Sequence, residues 1–404
     1  MSHLVYLFLT VPVITALIGW VTNWAAVKMI FHPVTFLGVG PLGWQGILYK
    51  QGHKFATNVA DMSTKNLVSA EELVKRLDLD EIDRMFAATF DEEVAELCQK
   101  GAEILQPGAW ERLPEHVKTL IVTQVKDRTR QISRELFVEI EKNANELIDL
   151  HTLVYQQLSG ANVGRLAEFT KQIGHREFKF IEYYGGVFGF LIGLAQIGIY
   201  HYMEKWWLMP VIGVIVGLVT NWLAIEMIFR PHERKRYLGL FPYQGLFPKR
   251  QGEIAADYGR VAGDELLTPH NLIEFLTRGP GSAQLLELVT QTLSERIDEE
   301  WKKVQPMVPI QVTDDKLAQV KAAVASHLGN TAPKIRPRLE DYLGRQMGVR
   351  ETVENRLASL PKPDFERILR GIFEEDEITL IVVGGVLGGL VGIGQAALVL
   401  AISM

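Results

Sequence analysis

The chain has 404 residues, enough for two or three domains, with 48% apolar residues and a formal net charge of -6. An acidic balance excludes a general nucleic-acid binder, which needs a basic surface to displace counterions. Cys98 is the single cysteine, so no intrachain disulfide forms, which suits soluble regions facing a cytoplasm.

The mean hydropathy of +0.08 is raised by four segments. The first is an apolar run over 4–31, longer than the roughly 20 residues a bilayer crossing takes. It lacks a basic start and outruns the core of a signal peptide, so a retained span is expected. Thr15, Gly19, Thr22 and Asn23 recur along it, Lys28 sits in its last turns, and Phe31-His32-Pro33 ends it. Then comes Gly43-Trp44-Gln45-Gly46-Ile47-Leu48-Tyr49-Lys50. The region 34–178 is predicted to be helical. Ser69-Ala70-Glu71-Glu72 resembles a capping box. Ile132, Leu136, Ile140, Leu147, Val154 and Leu158 predict one long helix from Glu115 to Leu158. Cys98, among Val94, Leu97 and Ala102, reads as a small core residue.

A second span is predicted over 179–202, with Gly185, Gly189, Gly193 and Gln196 on one face. The third, 207–229, carries Gly213, Gly217, Thr220, Asn221 and Glu226, and Arg230-Pro231 ends it. Pro242-Tyr243-Gln244-Gly245-Leu246-Phe247-Pro248-Lys249-Arg250 follows. The region 231–376 is again helical in pattern, through Leu285, Val289, Leu293, Ile297, Trp301 and Val304, with Thr268-Pro269 as a helix start. Pro306, Pro309, Pro333, Pro337, Pro361 and Pro363 are expected to break it into pieces. The fourth span, 377–402, holds Gly384, Gly388, Gly392 and Gln395. No strand-type alternation stands out.

The second half restates the first. Val21-Thr22-Asn23-Trp24 returns 198 positions later as Val219-Thr220-Asn221-Trp222, and the glycine-glutamine face of 185–196 returns after 199. The predicted fold is an all-α integral membrane protein of four transmembrane helices in two parallel tandem repeats, each with a large helical soluble insertion. Repeat 1 covers 1–203 and repeat 2 covers 204–404. Cations flank the long insertions: Arg165, Lys171, Arg176 and Lys179 before span 2, Arg230, Arg234, Lys235 and Arg236 after span 3, and Lys362, Arg367 and Arg370 before span 4. Cations stay on the cytoplasmic side, so the insertions are expected inside a bacterial plasma membrane and both termini outside.

Glycine stripes let helices approach closely in lipid, and an amide can hydrogen-bond across the contact. Asn23, Asn221, Gln196 and Gln395 therefore read as packing groups, with a polar pathway as the second reading. Lys28 and Glu226 occupy matching positions. They either pair across a pseudo-twofold axis, or Lys28 snorkels to the interface. Trp44, Gln45, Lys50, Arg230, Tyr243, Gln244, Lys249 and Arg250 are candidate headgroup contacts, since aromatic rings beside cations suit the interface. Gly38-Val39-Gly40-Pro41-Leu42-Gly43 matches a dinucleotide string but lacks the strand and helix such a site needs. No nucleophile, general base or metal set is nominated.

Gly19-x-x-Thr22-Asn23-Trp24-x-Ala26-x-x-Met29-x-Phe31-x-Pro33, its second copy and the Gln-Gly-x-x-x-Lys element resemble the bacterial membrane proteins grouped as domain of unknown function 445. That group includes the uncharacterised protein family 0754 membrane proteins. The resemblance implies a multi-pass plasma-membrane protein with large helical insertions and carries over no activity, cofactor or catalytic residue. His32 and Tyr49 depart from the pattern of Arg230 and Pro248, which makes copy one the weaker site if those positions bind headgroups. The expected function is a non-enzymatic envelope scaffold, holding protein partners through its cytoplasmic helices or associating with itself, with membrane lipids around it. The alternative is a carrier for lipid or a small solute built around the repeat axis. An enzyme acting on headgroups ranks third.

Overall fold

In the computed structural model, residues 2–39, 42–203, 207–237, 241–305 and 312–403 are described. Among them four helices are long and apolar enough to cross a membrane, with windows at Val11–Phe31, Gly160–Ile197, Leu208–Phe229 and Glu377–Gly394. The helices that carry them run Ser2–Phe31, Val163–Met203, Leu208–Phe229 and Lys362–Ser403, and are called spans 1 to 4 below. Spans 2 and 4 contain 41 and 42 residues. At about 1.5 Å per residue each is about 60 Å long, twice the ~30 Å hydrocarbon layer. Each therefore runs as one helix through the expected boundary between soluble region and span.

The chain divides into two compact units. The first comprises Met1–Leu67, Val154–Val261 and Arg350–Met404, and holds all four spans. Span 1 packs along span 2 and span 3 along span 4. Span 2 also meets span 3, and span 1 meets span 4. Beyond the span-to-span contacts its core is built on Phe55, Leu158, Leu166, Ile254, Tyr258 and Phe365, all fully buried. The Tyr258 hydroxyl is satisfied there by Ser63 Oγ at 3.0 Å, as a buried polar group requires.

The second unit comprises Val68–Leu153 and Ala262–Val349. Its helix Leu79–Leu105 packs on Glu115–Lys142 and on Asp314–Gln346. Val94 and Ile335 are buried between them, with Cys98, Val122 and Leu339 alongside. Burial pushes the Cys98 thiol up to about 11, so it is an inert core group rather than a nucleophile. Ser69 and Thr268 cap their helices as the sequence suggests, accepting from the Glu72 and Asn271 backbone N–H groups.

Three expectations are corrected. First, the structure contains strands. Leu37–Val39 pairs antiparallel with Leu42–Trp44, and Lys235–Tyr237 with Phe241–Tyr243. Three-residue strands are too short to show a period. Second, the stretch from Glu115 to Leu158 is three helices, Glu115–Lys142, Ala144–Leu147 and Leu150–Leu158. Asn143 Nδ2 donates back to Glu139 O, and Asp149 accepts from the Thr152 N–H and hydroxyl. The first bond competes with the helix ladder at its end, and the second pair caps the start of the next helix. Third, Pro333 and Pro337 lie inside the unbroken helix Asp314–Gln346. Thr331 donates to Glu93 at 2.5 Å, and Thr331 and Ile335 are buried. Tertiary packing thus holds the helix across both prolines. Pro361 does interrupt, between Val349–Ser359 and Lys362–Ser403. Pro306 and Pro309 lie outside the described residues.

Candidate functional site

The intramembrane amides are fixed by the helix pairs. Asn23 Nδ2 donates to Ile181 O at 2.8 Å, and Asn221 Nδ2 donates to Leu380 O at 2.7 Å. Both residues are buried. The glycines make this approach possible. A Cβ on Gly185 would overlap the Asn23 amide and the Gly19 carbonyl oxygen, and one on Gly384 would overlap the Asn221 amide. Gly213 and Gly388 press backbone on backbone in the same way. Asn23 Oδ1 and Asn221 Oδ1 are buried without a hydrogen-bond partner among the described residues. Gln196 is also buried, and the side chain of Gln395 lies outside those described.

Lys28 and Glu226 take different partners. Lys28 Nζ lies 4.9 Å from the Trp24 ring centroid, a cation–π arrangement on an exposed face. Glu226 faces Arg230 at 3.3 Å and Arg370 at 3.5 Å.

The element after each span is a clasp on the end of that span. Trp44 Nε1 donates to Met29 O at 3.3 Å, and Tyr243 Oη to Met227 O at 2.6 Å. Gln45 Nε2 reaches Val34 O at 2.9 Å, and Gln244 Nε2 reaches His232 O at 2.7 Å. Gly46 N and Gly245 N each donate to the carbonyl of the proline that ended the span, Pro33 and Pro231. Burial raises the Tyr243 phenol above its ordinary range, so it stays a donor. Lys50 and Lys249 remain exposed at the ends of short helices. The donor groups of Trp44, Gln45, Tyr243 and Gln244 are thus engaged within the protein.

A charged cluster that sequence reasoning missed sits beneath spans 3 and 4. Glu366 is buried and accepts from Arg230 Nε at 3.1 Å, from His232 Nε2, and from Arg370 Nη1 at 3.3 Å. Burial pushes its carboxyl up, but the His232 hydrogen bond and the Arg230 charge, with Arg370, outweigh burial and hold it below the ordinary carboxylate range. Arg370 also meets Glu377 at 2.9 Å. Arg250 reaches buried Glu177 at 2.5 Å and Glu253 at 3.0 Å. The i,i+4 spacing of Glu366 and Arg370 was the available signal. Read as topology markers alone, the basic residues concealed their acidic partners. In copy one, Ala167 stands where copy two has Glu366.

A cleft of about 50 Å³ opens among the four spans, lined by Ile30, Ile181, Ile225, Ile228, Phe229 and Leu380, and also by Glu177 and Glu377.

The chain is similar to a UPF0754 membrane protein of Exiguobacterium sibiricum, 41% identical over 98 residues, or 24% of each chain. A UPF0754 membrane protein of Bacillus mycoides is 48% identical over 69 residues, and one of Bacillus thuringiensis 46% over 69. Both of those alignments cover 16% of this chain and 18% of the relative. The match therefore spans at most about a quarter of these relatives' length. No solved structure gives a significant match. The family model matches residues 13–140 and again 211–335, so the chain, a multi-pass membrane protein with an internal repeat, belongs to the family described as Protein of unknown function (DUF445).

Proposed function

We propose that this protein is a non-enzymatic scaffold of the bacterial plasma membrane, which holds protein partners or further copies of itself through its helical second unit. Its two repeats run parallel, with the basic margins and both helical insertions in the cytoplasm and both termini outside. The observation that carries the reading is the use of the intramembrane polar groups. Asn23 and Asn221 donate across a glycine-tight helix contact, each to a backbone carbonyl of the paired span. Groups engaged this way build rigidity, and rigid spans suit a platform. On orientation, protease added to intact cells should spare the helical insertions.

The cleft among the span ends favours a second reading, a carrier for lipid or a small solute. Reconstitution separates the two. The full chain in liposomes should move neither fluorescent lipid nor ions faster than empty vesicles. Photo-crosslinkers on the exposed face of Glu115–Lys142 should capture a discrete set of proteins in cells. Protein-dependent flux together with no crosslinked partner would transfer the assignment to the carrier.

A further inference from the structure

The two hairpins share a strand pairing, across turns that differ by one residue, and differ in surface. Leu37, Gly38 and Val39 correspond in the repeat to Lys235, Arg236 and Tyr237. Hairpin 1 exposes Val34, Phe36, Leu37 and Val39, the last two by 71% and 86%. One exposed apolar side chain needs no explanation, but four in six residues form a patch. Hairpin 2 exposes Arg234, Lys235 and Arg236, with no ion pair among the described residues, and Tyr237 beside them.

Both hairpins are held against the ends of spans. Helix stops at Phe31 and at Phe229, the Trp44 and Tyr243 bonds tie each hairpin to the last turn of its span, and the Gln45 and Gln244 bonds hold the residues that follow it. Each hairpin therefore lies within a few residues of the point where a span leaves the lipid. Leu17, Trp20 and Trp24 are exposed on span 1 and face lipid if it crosses, so hairpin 1 continues that apolar surface along the chain. Beside a span end, one partner offers both an apolar boundary for hairpin 1 and a layer of negative charge for hairpin 2. That partner is an anionic phospholipid leaflet.

We propose that the hairpins form a divided membrane anchor. Hairpin 1 sets its apolar edge into the acyl-chain boundary, and hairpin 2 binds the phosphates of anionic phospholipids. The proposal rests on the spans crossing the bilayer, which the preceding reading shares. It moves lipid recognition away from the clasp residues and onto the hairpin edges.

The test uses the full chain carrying Cys98→Ser, with single spin labels placed through Leu17→Cys, Val39→Cys or Tyr237→Cys. Each variant is reconstituted in phosphatidylcholine vesicles with and without phosphatidylglycerol. Depth is read from collisions with oxygen against a water-soluble nickel chelate. Labels at 17 and 39 should both favour oxygen. The label at 237 should lose several-fold of its nickel access when phosphatidylglycerol is present. High salt should reverse that loss, and so should the combined change Arg234→Gln, Lys235→Gln, Arg236→Gln. A nickel-accessible label at 39 with a shielded label at 17 overturns the anchor and leaves the crossing intact. A nickel-accessible label at 17 overturns both. A label at 237 that ignores lipid charge overturns the anionic half and with it the divided anchor.

Discussion

At the scale of single residues, glycine has opposite meanings in different helices. Gly185 faces the Asn23 amide and the Gly19 carbonyl with no room for a methyl group. Alanine there must push two backbones apart and take the Asn23–Ile181 bond with it. Such a membrane hydrogen bond contributes about 0.6–2 kcal/mol, and lost close packing adds to that. Gly252 lies in the helix Gln251–Val261 with open space where a Cβ would stand. Alanine at that position gains helix propensity of about 0.5–1 kcal/mol. In reversible unfolding from detergent micelles, Gly185→Ala should therefore destabilise and Gly252→Ala should stabilise. Equal effects would mean that the spans do not meet through this face. Glu366 offers a titration at the same scale. Its folded carboxyl lies below the ordinary range. Its contribution is therefore complete above the unfolded value of about 4.3 and disappears as pH falls through the lower folded value. Glu366→Gln should lower the melting temperature at pH 7, and the gap to wild type should narrow on acidification into that range. A gap that is constant down to pH 3 would detach this carboxylate from the stability of the fold.

At the scale of elements, legibility followed length and repetition. The spans were readable because about twenty apolar residues admit few alternatives. The glycine and asparagine packing faces were readable because they appear twice, whereas the partners, Asn23 with Gly185 and Asn221 with Gly384, come from the structure. The clasp was visible as a shared string, but its direction was not. Trp44 and Tyr243 look like interface aromatics until their donors are seen to end on Met29 O and Met227 O. The hairpins were hidden for a related reason. Three residues carry no period, and the two copies place apolar and basic side chains on equivalent first strands. Helix ends also depended on side-chain bonds that no apolar pattern encodes. Asn143 ends one helix and Asp149 starts another inside an apolar stripe that continues past them. Pro333 and Pro337 fail to end one because Thr331 and Ile335 are held from another helix.

At the scale of the molecule, the first unit is assembled from three separated stretches of chain, and the copies interlock within it. Asn58, just after span 1, donates to Gly371 O in the helix that becomes span 4. Arg250, just after span 3, reaches Glu177 in the helix that becomes span 2. Each copy thus closes on the membrane-proximal helix of the other. The Arg250–Glu177 pair carries the larger consequence, because the Glu177 side chain is only 2% exposed and that of Arg250 14%. Removing one partner of a buried pair leaves a desolvated charge and costs about 3–5 kcal/mol, whereas replacing both partners together is far milder. Gln51 stands at the position of copy one that corresponds to Arg250, so glutamine is sterically at home on this backbone. Arg250→Gln should therefore destabilise the full chain by about 3 kcal/mol, and adding Glu177→Gln should recover most of that loss. A double-mutant cycle on detergent unfolding measures the coupling. If the double variant is as unstable as the sum of the single ones, the two copies are not joined through this charge pair. Their interlocking would then rest on the apolar contacts around Phe55 and Tyr258.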